Sequence, residues 1–321
     1  MFNKINIKYL AISFFVLLAL VVIVTPEKNN TKNRSFKSEI VEFDTSNATL
    51  IAIYPKGRDD LVSLEKKDGK WFVSDAQGSY NADNNQVKNM LATLAGLKAK
   101  RMAARGKDQW AKYELTDSLA TRVQVLGGKK ELADVYIGKF SYQQPPQSAN
   151  PYMQRQQGIM TSFVRLKGEK DVFAVDGFLS MNFNRQVSDL RDRTLAHFSK
   201  DKLSRLSCIT PAGNFDLIKQ DSIWTLGGII ADSASVASYI SGLSYLNSNN
   251  FIAEKNKPLN QPSHILTIEA ADLSQALKLY GYYTDSTNIA VSSSVNPGTF
   301  FDGTKSELFN KIFKSKESFI K

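Results

Sequence analysis

One pattern of residues occurs twice in this chain of 321 residues, and it constrains the fold more than any other feature. In its first occurrence an aspartate precedes an apolar stripe with helical spacing: Asp83, then Val87, Leu91, Leu94 and Leu97. The aspartate and the stripe recur 149 positions later as Asp232, Val236, Ile240, Leu243 and Leu246. Aspartate is a preferred N-cap, so each copy predicts a capped amphipathic helix.

Further matches flank both helices in the same order. Trp224 matches Trp71, Leu266-x-Ile268 matches Val123-x-Val125, Gly281 matches Gly138, and Phe309-Asn310-Lys311 matches Phe183-Asn184-Arg185. Two unrelated strand and helix segments could share a cap and a stripe, but ordered matches on both sides favour an internal duplication. The spacing requires 17 additional residues in the first copy, and we place this insertion at the Gln- and Pro-rich stretch 143–158, which accounts for nearly all of it.

The segments around the helices predict strands. Residues 49–54, 61–65 and 70–74 alternate between apolar and polar side chains, and Asp68-Gly69 predicts a tight turn. Each unit is expected to have three strands, a helix, three or four strands and a closing helix. The predicted class is therefore α+β: an N-terminal transmembrane helix followed by two tandem repeats of an antiparallel sheet with helices. The expected boundaries are 1–25 for a cytoplasmic stub and anchor, 26–48 for a polar tether, 49–198 for the first unit and 199–321 for the second.

Residues 9–25 contain no charged side chain and follow Lys4 and Lys8. As a helix they would span roughly 25 Å, close to the thickness of a bilayer core. The bulky residues 22–24 and Pro26 provide no signal-peptidase site, which favours an uncleaved signal anchor over a cleaved signal peptide. Four basic residues after the segment oppose the positive-inside rule, but long domains cross largely regardless of charge. We expect a single-pass inner-membrane protein with its body in the periplasm.

Composition excludes some classes of partner and cofactor. The formal net charge is +10, yet acidic residues lie among the basic ones without a basic stripe, so a nucleic-acid partner is not expected. Phosphate-binding glycine motifs are absent from the sequence, and Cys208 is the only cysteine. His264 has no second ligand at metal-binding spacing. The sequence therefore predicts no cofactor and no metal, and it predicts Cys208 as a small buried residue of a strand.

The densest charged cluster comprises Asp189, Arg191, Asp192, Arg193 and His197. It could form the acid–base site of a hydrolase, but we favour a connector between the units, with carboxylates that cap a helix and arginines in surface ion pairs. Arg191 and Arg193 are also possible partner contacts. The other possible partner contacts are Tyr152, Met153 and Arg155 in the Gln- and Pro-rich stretch. The alternative is that this stretch is only a surface hairpin without a partner. No catalytic residue is predicted.

From about Thr49 onward the chain resembles a bacterial family, domain of unknown function 4340. The resemblance rests on the two Trp-bearing segments and on IGK (137–139), SFVRL (162–166) and SDLRDRTLAHF (188–198). One departure is Tyr113-Glu114-Leu115, where the family usually has glycine between the aromatic residue and leucine. The resemblance implies membrane-anchored proteins associated with gliding-motility-type ABC-transporter auxiliary subunits, and it supplies no catalytic residues. The expected function is a non-catalytic extracytoplasmic accessory or scaffold subunit of an ABC-transporter-like complex. The alternatives are a module that binds an anionic envelope polymer and, third, a hydrolase.

Overall fold

The computed structural model describes residues 38–57, 60–144, 158–283 and 289–320. The predicted anchor, most of the tether, and Tyr152, Met153 and Arg155 lie outside these ranges. Within these ranges, no helix is long and apolar enough to cross a membrane.

The first sheet has nine antiparallel strands in the order β4-β3-β2-β1-β6-β7-β8-β9-β5. These strands are β1 (Leu50–Tyr54), β2 (Val62–Lys67), β3 (Lys70–Asp75), β4 (Gly78–Asn81), β5 (Ala99–Ala104), β6 (Thr121–Gly127), β7 (Lys130–Gln143), β8 (Ile159–Leu166) and β9 (Val172–Asp176). The predicted turn at Asp68-Gly69 joins β2 and β3, and both residues have positive φ, as a two-residue hairpin loop requires.

The second sheet has eight antiparallel strands in the order β14-β13-β12-β11-β16-β17-β18-β19. These strands are β11 (Leu203–Thr210), β12 (Gly213–Gln220), β13 (Ile223–Leu226), β14 (Ile229–Ile230), β16 (His264–Ala270), β17 (Leu277–Tyr283), β18 (Ile289–Ser293) and β19 (Asn296–Asp302). A separate two-stranded sheet pairs β10 (Thr194–His197) with β15 (Tyr245–Asn247).

Helices cover one face of each sheet. They are α1 (Asn84–Ala95), α2 (Leu179–Phe183), α3 (Val187–Leu190), α4 (Ser233–Leu243) and α5 (Leu308–Ile312). Asp83 caps α1 by accepting hydrogen bonds from the backbone amides of Asn85 and Gln86, and Asp232 caps α4 through the amide of Ser235. Both predicted N-caps are therefore present. The helices end earlier than the stripes predicted, because Leu97 and Leu246 lie beyond them, although both side chains are buried.

The described part of the chain is mainly antiparallel sheet with few helices, an α+β arrangement in which strands predominate. The two sheets have the same strand order when β1–β4 and β6–β9 are matched with β11–β14 and β16–β19. The fourth strand of each set, β4 and β14, was not predicted. The amide of Asp83 donates to the carbonyl of Leu190, and that of Asp232 donates to the carbonyl of Phe319, so each long helix begins against the last turn of its own unit.

Each sheet has its own apolar core. Leu64, Leu94 and Phe183 are fully buried in the first, and Leu206, Val236 and Phe301 in the second. Trp71 is buried in the first core as predicted, whereas Trp224 is only partly buried beside the second. A smaller cluster that includes Leu115, Tyr136 and Phe163 lies apart from the first core.

Two segments at the ends of the expected units make contacts that the sequence did not predict. The amide of Ile40 donates to Leu97, and Val41 is buried in the first core, so the described end of the tether packs with the first unit. Strand β10 pairs with β15 and thus packs with the second unit. We call residues 38–190 the first unit, residues 194–320 the second unit, and residues 191–193 with their contacts the joint.

Candidate functional site at the joint

The carboxylates of the charged cluster cap backbone amides. Asp189 closes a capping box at α3, in which its Oδ2 accepts a hydrogen bond from the amide of Gln186 at 3.1 Å. Asp192 Oδ1 accepts a hydrogen bond from the amide of Thr194 at 2.9 Å. Arg193 Nη2 donates to the backbone carbonyl of Asp189 at 3.1 Å, and a long ion pair of 3.9 Å joins Arg193 Nη2 to the carboxylate of Asp189. Asp189 therefore caps a helix, as expected for the connector, whereas Asp192 caps the first residue of strand β10.

Arg191 does not form the surface ion pair that the sequence predicted. Its side chain is buried between two rings, with the guanidinium carbon 3.9 Å from the ring centre of Tyr80 on β4 and 3.7 Å from that of Phe251 in the second unit. Its Nε has no hydrogen-bond partner among the described residues. Burial lowers the pKa of Arg191, because desolvation disfavours the charged form. The planar guanidinium of Arg191 tolerates this burial because it stacks on two rings, which compensates for the loss of its contacts with water.

Asn296 joins the two units through hydrogen bonds. It is fully buried at the start of β19, where its Nδ2 donates to the carbonyl of Asp192 at 2.9 Å. Its Oδ1 accepts hydrogen bonds from Asn81 Nδ2 at 2.9 Å and from Thr299 Oγ1 at 2.8 Å. Asn81 Nδ2 also reaches the carbonyl of Pro297 at 3.1 Å. Buried amides in satisfied networks fix relative orientation, so Asn296 and Arg191 hold the units together at one edge of the first sheet.

The joint lacks the geometry of an acid–base site within the described residues. The ring of His197 lies edge-on to Tyr245 at 5.4 Å, and no hydrogen bond joins it to Asp189 or Asp192 there. A groove of about 230 Å³ beside Arg193 is lined by Asp83, Gln86 and Tyr245, among others. Arg193 Nε is buried there without a partner among the described residues. The cluster is thus organised for packing and capping, and whether Arg191 and Arg193 also contact a partner stays a prediction.

The two side chains considered for chemistry elsewhere are enclosed by the protein. Cys208 is fully buried on β11, as predicted, and burial raises the pKa of its thiol to about 11. His264 opens β16, where Nδ1 lies 2.9 Å from Ser263 Oγ and the rings of Tyr283, Phe309 and Phe313 surround the imidazole. Desolvation lowers the pKa of His264. The described residues contain no group of three or more His, Cys, Asp or Glu side chains that could hold a metal ion.

A row of alternating rings and arginines crosses the first sheet and was missed by sequence reasoning. Tyr54, Arg122, Tyr136 and Arg165 are register partners on β1, β6, β7 and β8. The guanidinium of Arg165 lies 3.4 Å from the ring centre of Tyr136 and 3.9 Å from that of Trp110. Arg122 pairs with the buried carboxylate of Asp134, and this hydrogen bond raises the pKa of Arg122. Only knowledge of strand register would have aligned these residues.

The corner formed by β13 and β14 has exposed apolar side chains. Ile223, Ile229 and Ile230 are 51%, 65% and 70% exposed. With Trp224 and Asp232, Ile223 and Ile230 line a groove of about 340 Å³. We call Ile223, Trp224, Ile229 and Ile230 the β14 corner. In the first unit the matching strand β4 contacts Asn296, Pro297 and Arg191 at the joint, so the same position is covered there.

The fold defines a class: in the described residues this is an α+β protein with two large antiparallel sheets and a small two-stranded one. The chain belongs to the family described as Domain of unknown function (DUF4340), whose family model matches residues 71–263, more than half of the sequence. The match runs from the first Trp-bearing strand across the joint to the residue before β16. Neither the curated proteins nor the solved structures contain a significant match.

The departure at Glu114 has a structural explanation. Glu114 follows a 3-10 turn (Ala111–Tyr113) with φ 57° and ψ 41°, the left-handed conformation in which glycine is favoured. Here the side chain of Glu114 pairs with Lys56. The turn is therefore kept with a non-glycine residue in a strained backbone conformation.

Proposed function

We propose that this chain is a non-catalytic accessory or scaffold subunit of an envelope complex of the ABC-transporter type, and that the β14 corner contacts a protein subunit of that complex. The exposure of this corner is the observation that carries the proposal. Isoleucine side chains exposed side by side at the edge of a sheet are costly in water and typical of interaction sites. The neighbouring groove offers a place for an apolar side chain of the partner.

A protein partner fits this corner better than a small molecule or a polymer. Strand β14 is only two residues long and lies at the end of its sheet, where an extended segment of a partner can add as a further strand. The exposed residues are uncharged, which disfavours an anionic polymer as the ligand. The connector cluster, which was the strongest candidate for chemistry, has capping and stacking roles that support a scaffold rather than an enzyme.

The proposal places the chain at the inner membrane, with residues 9–25 as an uncleaved single-pass anchor and the two-sheet body in the periplasm. The uncharged segment, its lack of a cleavage site and the family resemblance support this placement.

We also infer that the body arose by duplication of one unit. The shared order of eight strands supports this history, although β5 of the first sheet has no counterpart in the second; the aspartate caps and the paired hydrogen bonds from Asp83 to Leu190 and from Asp232 to Phe319 support it as well.

The test uses the full-length chain with the double substitution Ile229→Lys/Ile230→Lys. The variant and the unsubstituted chain are each purified from native membranes, and the subunits that co-purify with them are compared. Both side chains are exposed, so we expect the fold to persist while membrane or ATPase subunits of the complex are lost from the eluate. The matched control is Ile209→Lys/Ile218→Lys, which adds the same charge at exposed positions of the same sheet. Retention of the subunits by the β14 variant, or their loss from the control as well, would argue against the β14 corner as the contact.

A further inference from the structure

A second exposed apolar surface lies on the first unit, far along the chain from the β14 corner. Strands β7 and β8 extend beyond their neighbours as a hairpin, with the pairs Phe140 to Ser162 and Tyr142 to Met160. Phe140, Tyr142 and Met160 share one face of this hairpin and are 47%, 52% and 46% exposed. We call these three residues the hairpin patch.

The hairpin patch continues the covered face of the first sheet. Ser162 lies on the same face, and its Oγ accepts a hydrogen bond from the amide of Leu179 in α2 at 3.0 Å. The ring of Phe140 lies 4.1 Å from that of Phe178, next to α2. Beyond this point no described helix covers the strands, and Met181 on α2 adds another exposed apolar side chain. The opposite face of the hairpin has Ser141, Thr161 and Gln143, so the hairpin is amphipathic apart from Ile159.

The hairpin projects from the end of the sheet at which the chain enters the body. Thr161 on β8 pairs with Asp176 on β9, and the next residue, Val175, pairs with Ala99 on β5. The amide of Ala99 in turn donates to the carbonyl of Ser38 at 2.7 Å. The first described residue of the chain is therefore at the same end of the sheet as the base of the hairpin.

The short distance from Ser38 to the proposed anchor limits how the body can face the membrane. Twelve residues separate Thr25 from Ser38, and a segment of this length can span at most about 43 Å. A body of this size has a radius of gyration of about 19 Å and so a diameter near 50 Å. Because Ser38 can lie no farther than this span from the anchor, orientations in which the end with Ser38 and the hairpin faces the bilayer are favoured.

We propose that the hairpin patch rests in the interfacial layer of the membrane, so that the body binds the bilayer surface as well as through its anchor; the inference rests on the proposed anchor. Tyrosine, phenylalanine and methionine on one face of an element are suited to the headgroup region. A cation adjoins the patch, because Arg185 Nε donates to the carbonyl of Met181 at 2.9 Å. Basic side chains beside an apolar face favour anionic lipid headgroups.

The test uses the full-length chain in liposomes containing anionic lipid. Cys208 is the only cysteine and is buried, so Cys208→Ala gives a background for single labels. A fluorophore is attached at Met160→Cys, and the matched control is Ile209→Cys, which is 47% exposed on the second sheet. Lipids with a quencher near the headgroup should reduce the fluorescence at position 160 by about twofold or more and leave position 209 nearly unchanged.

Flotation of the liposomes distinguishes a failure of the proposed membrane contact of the hairpin patch from a failure of the proposed anchor. If the protein floats with the liposomes but the two labels are quenched equally, the membrane contact of the hairpin patch is contradicted while the anchor stands. If the protein does not float, the anchor is contradicted and this inference fails with it. The double variant Phe140→Ser/Tyr142→Ser, labelled at position 160, should lose the quenching and keep the flotation. If the unlabelled Met160→Cys protein forms a covalent dimer, and the labelled protein shows no quenching, a second copy of the chain covers the patch and the proposal is overturned.

Discussion

Glu114 holds a left-handed backbone conformation that costs a non-glycine residue about 1–2 kcal/mol. Glu114→Gly removes this strain, whereas Glu114→Ala keeps it, and both variants lose the ion pair with Lys56. We therefore expect Glu114→Gly to be more stable than Glu114→Ala by about 1 kcal/mol in urea unfolding. Equal stability of the two variants would show that the backbone at this turn is not strained.

His264 makes stability depend on pH in a narrow range. Burial lowers its pKa in the folded protein, so below the unfolded value of 6.5 the unfolded chain binds a proton that the native state does not bind. The contribution of His264 to stability should be constant well above this pH and should decrease as the pH falls below it.

Thermal unfolding between pH 7.5 and 5.5 measures this dependence. The variant His264→Phe should lose most of it, while His197→Gln, which alters the chain's other histidine, should keep it. A pH dependence that persists in His264→Phe and disappears in His197→Gln would reverse the assignment.

At the residue scale, prediction succeeded where the determinant is local. Asp83 and Asp232 were identified as caps because an N-cap is defined by its own sequence neighbours. The roles of Arg191 and Asn296 could not be predicted, since their partners Tyr80, Phe251 and Asn81 are distant in sequence. They meet only when the two units dock, and no periodicity in the sequence encodes that docking.

At the scale of elements, helices α1 and α4 each cover their own sheet with one stripe. Leu91 and Ile240 are buried in the first and second cores, so Leu91→Ala and Ile240→Ala should each destabilise the protein by about 2–5 kcal/mol through loss of packing. Lys88→Ala, on the exposed side of α1, is the control and should change stability by less than about 0.5 kcal/mol. Chemical denaturation measures all three, and a loss in Lys88→Ala as large as in Leu91→Ala would mean that α1 faces its sheet differently.

Element prediction was best where alternation and a turn signal occur together. β1, β2 and β3 lie within one or two residues of the expected segments, because their apolar positions alternate and Asp68-Gly69 fixes the hairpin. β4 and β14 were missed because strands of four and two residues give too short a pattern. The helices were predicted too long because the buried Leu97 and Leu246 continue the helical spacing after each helix has ended.

At the scale of the whole molecule, Asn296 determines whether the two units unfold together. Asn296→Ala removes the hydrogen bonds of Asn296 to the carbonyl of Asp192 and the hydroxyl of Thr299 and leaves Asn81 Nδ2 with only the carbonyl of Pro297, which should cost about 1–3 kcal/mol. Because these groups join the units, trypsin should also cleave faster at Arg191 and Arg193. Asn214→Ala, at an exposed position of β12, is the control. Unchanged stability and cleavage in Asn296→Ala would indicate that other contacts hold the joint.

The central claim concerns the β14 corner as the contact with a protein subunit of an envelope complex. A photo-crosslinking amino acid at Ile230 in the full-length chain, expressed in its native membranes, tests it most directly, with the same amino acid at Ile209 as the control. The account predicts one discrete adduct from position 230 that contains a membrane subunit of a transporter, and none from position 209. No adduct from position 230, or the same adducts from both positions, would contradict it.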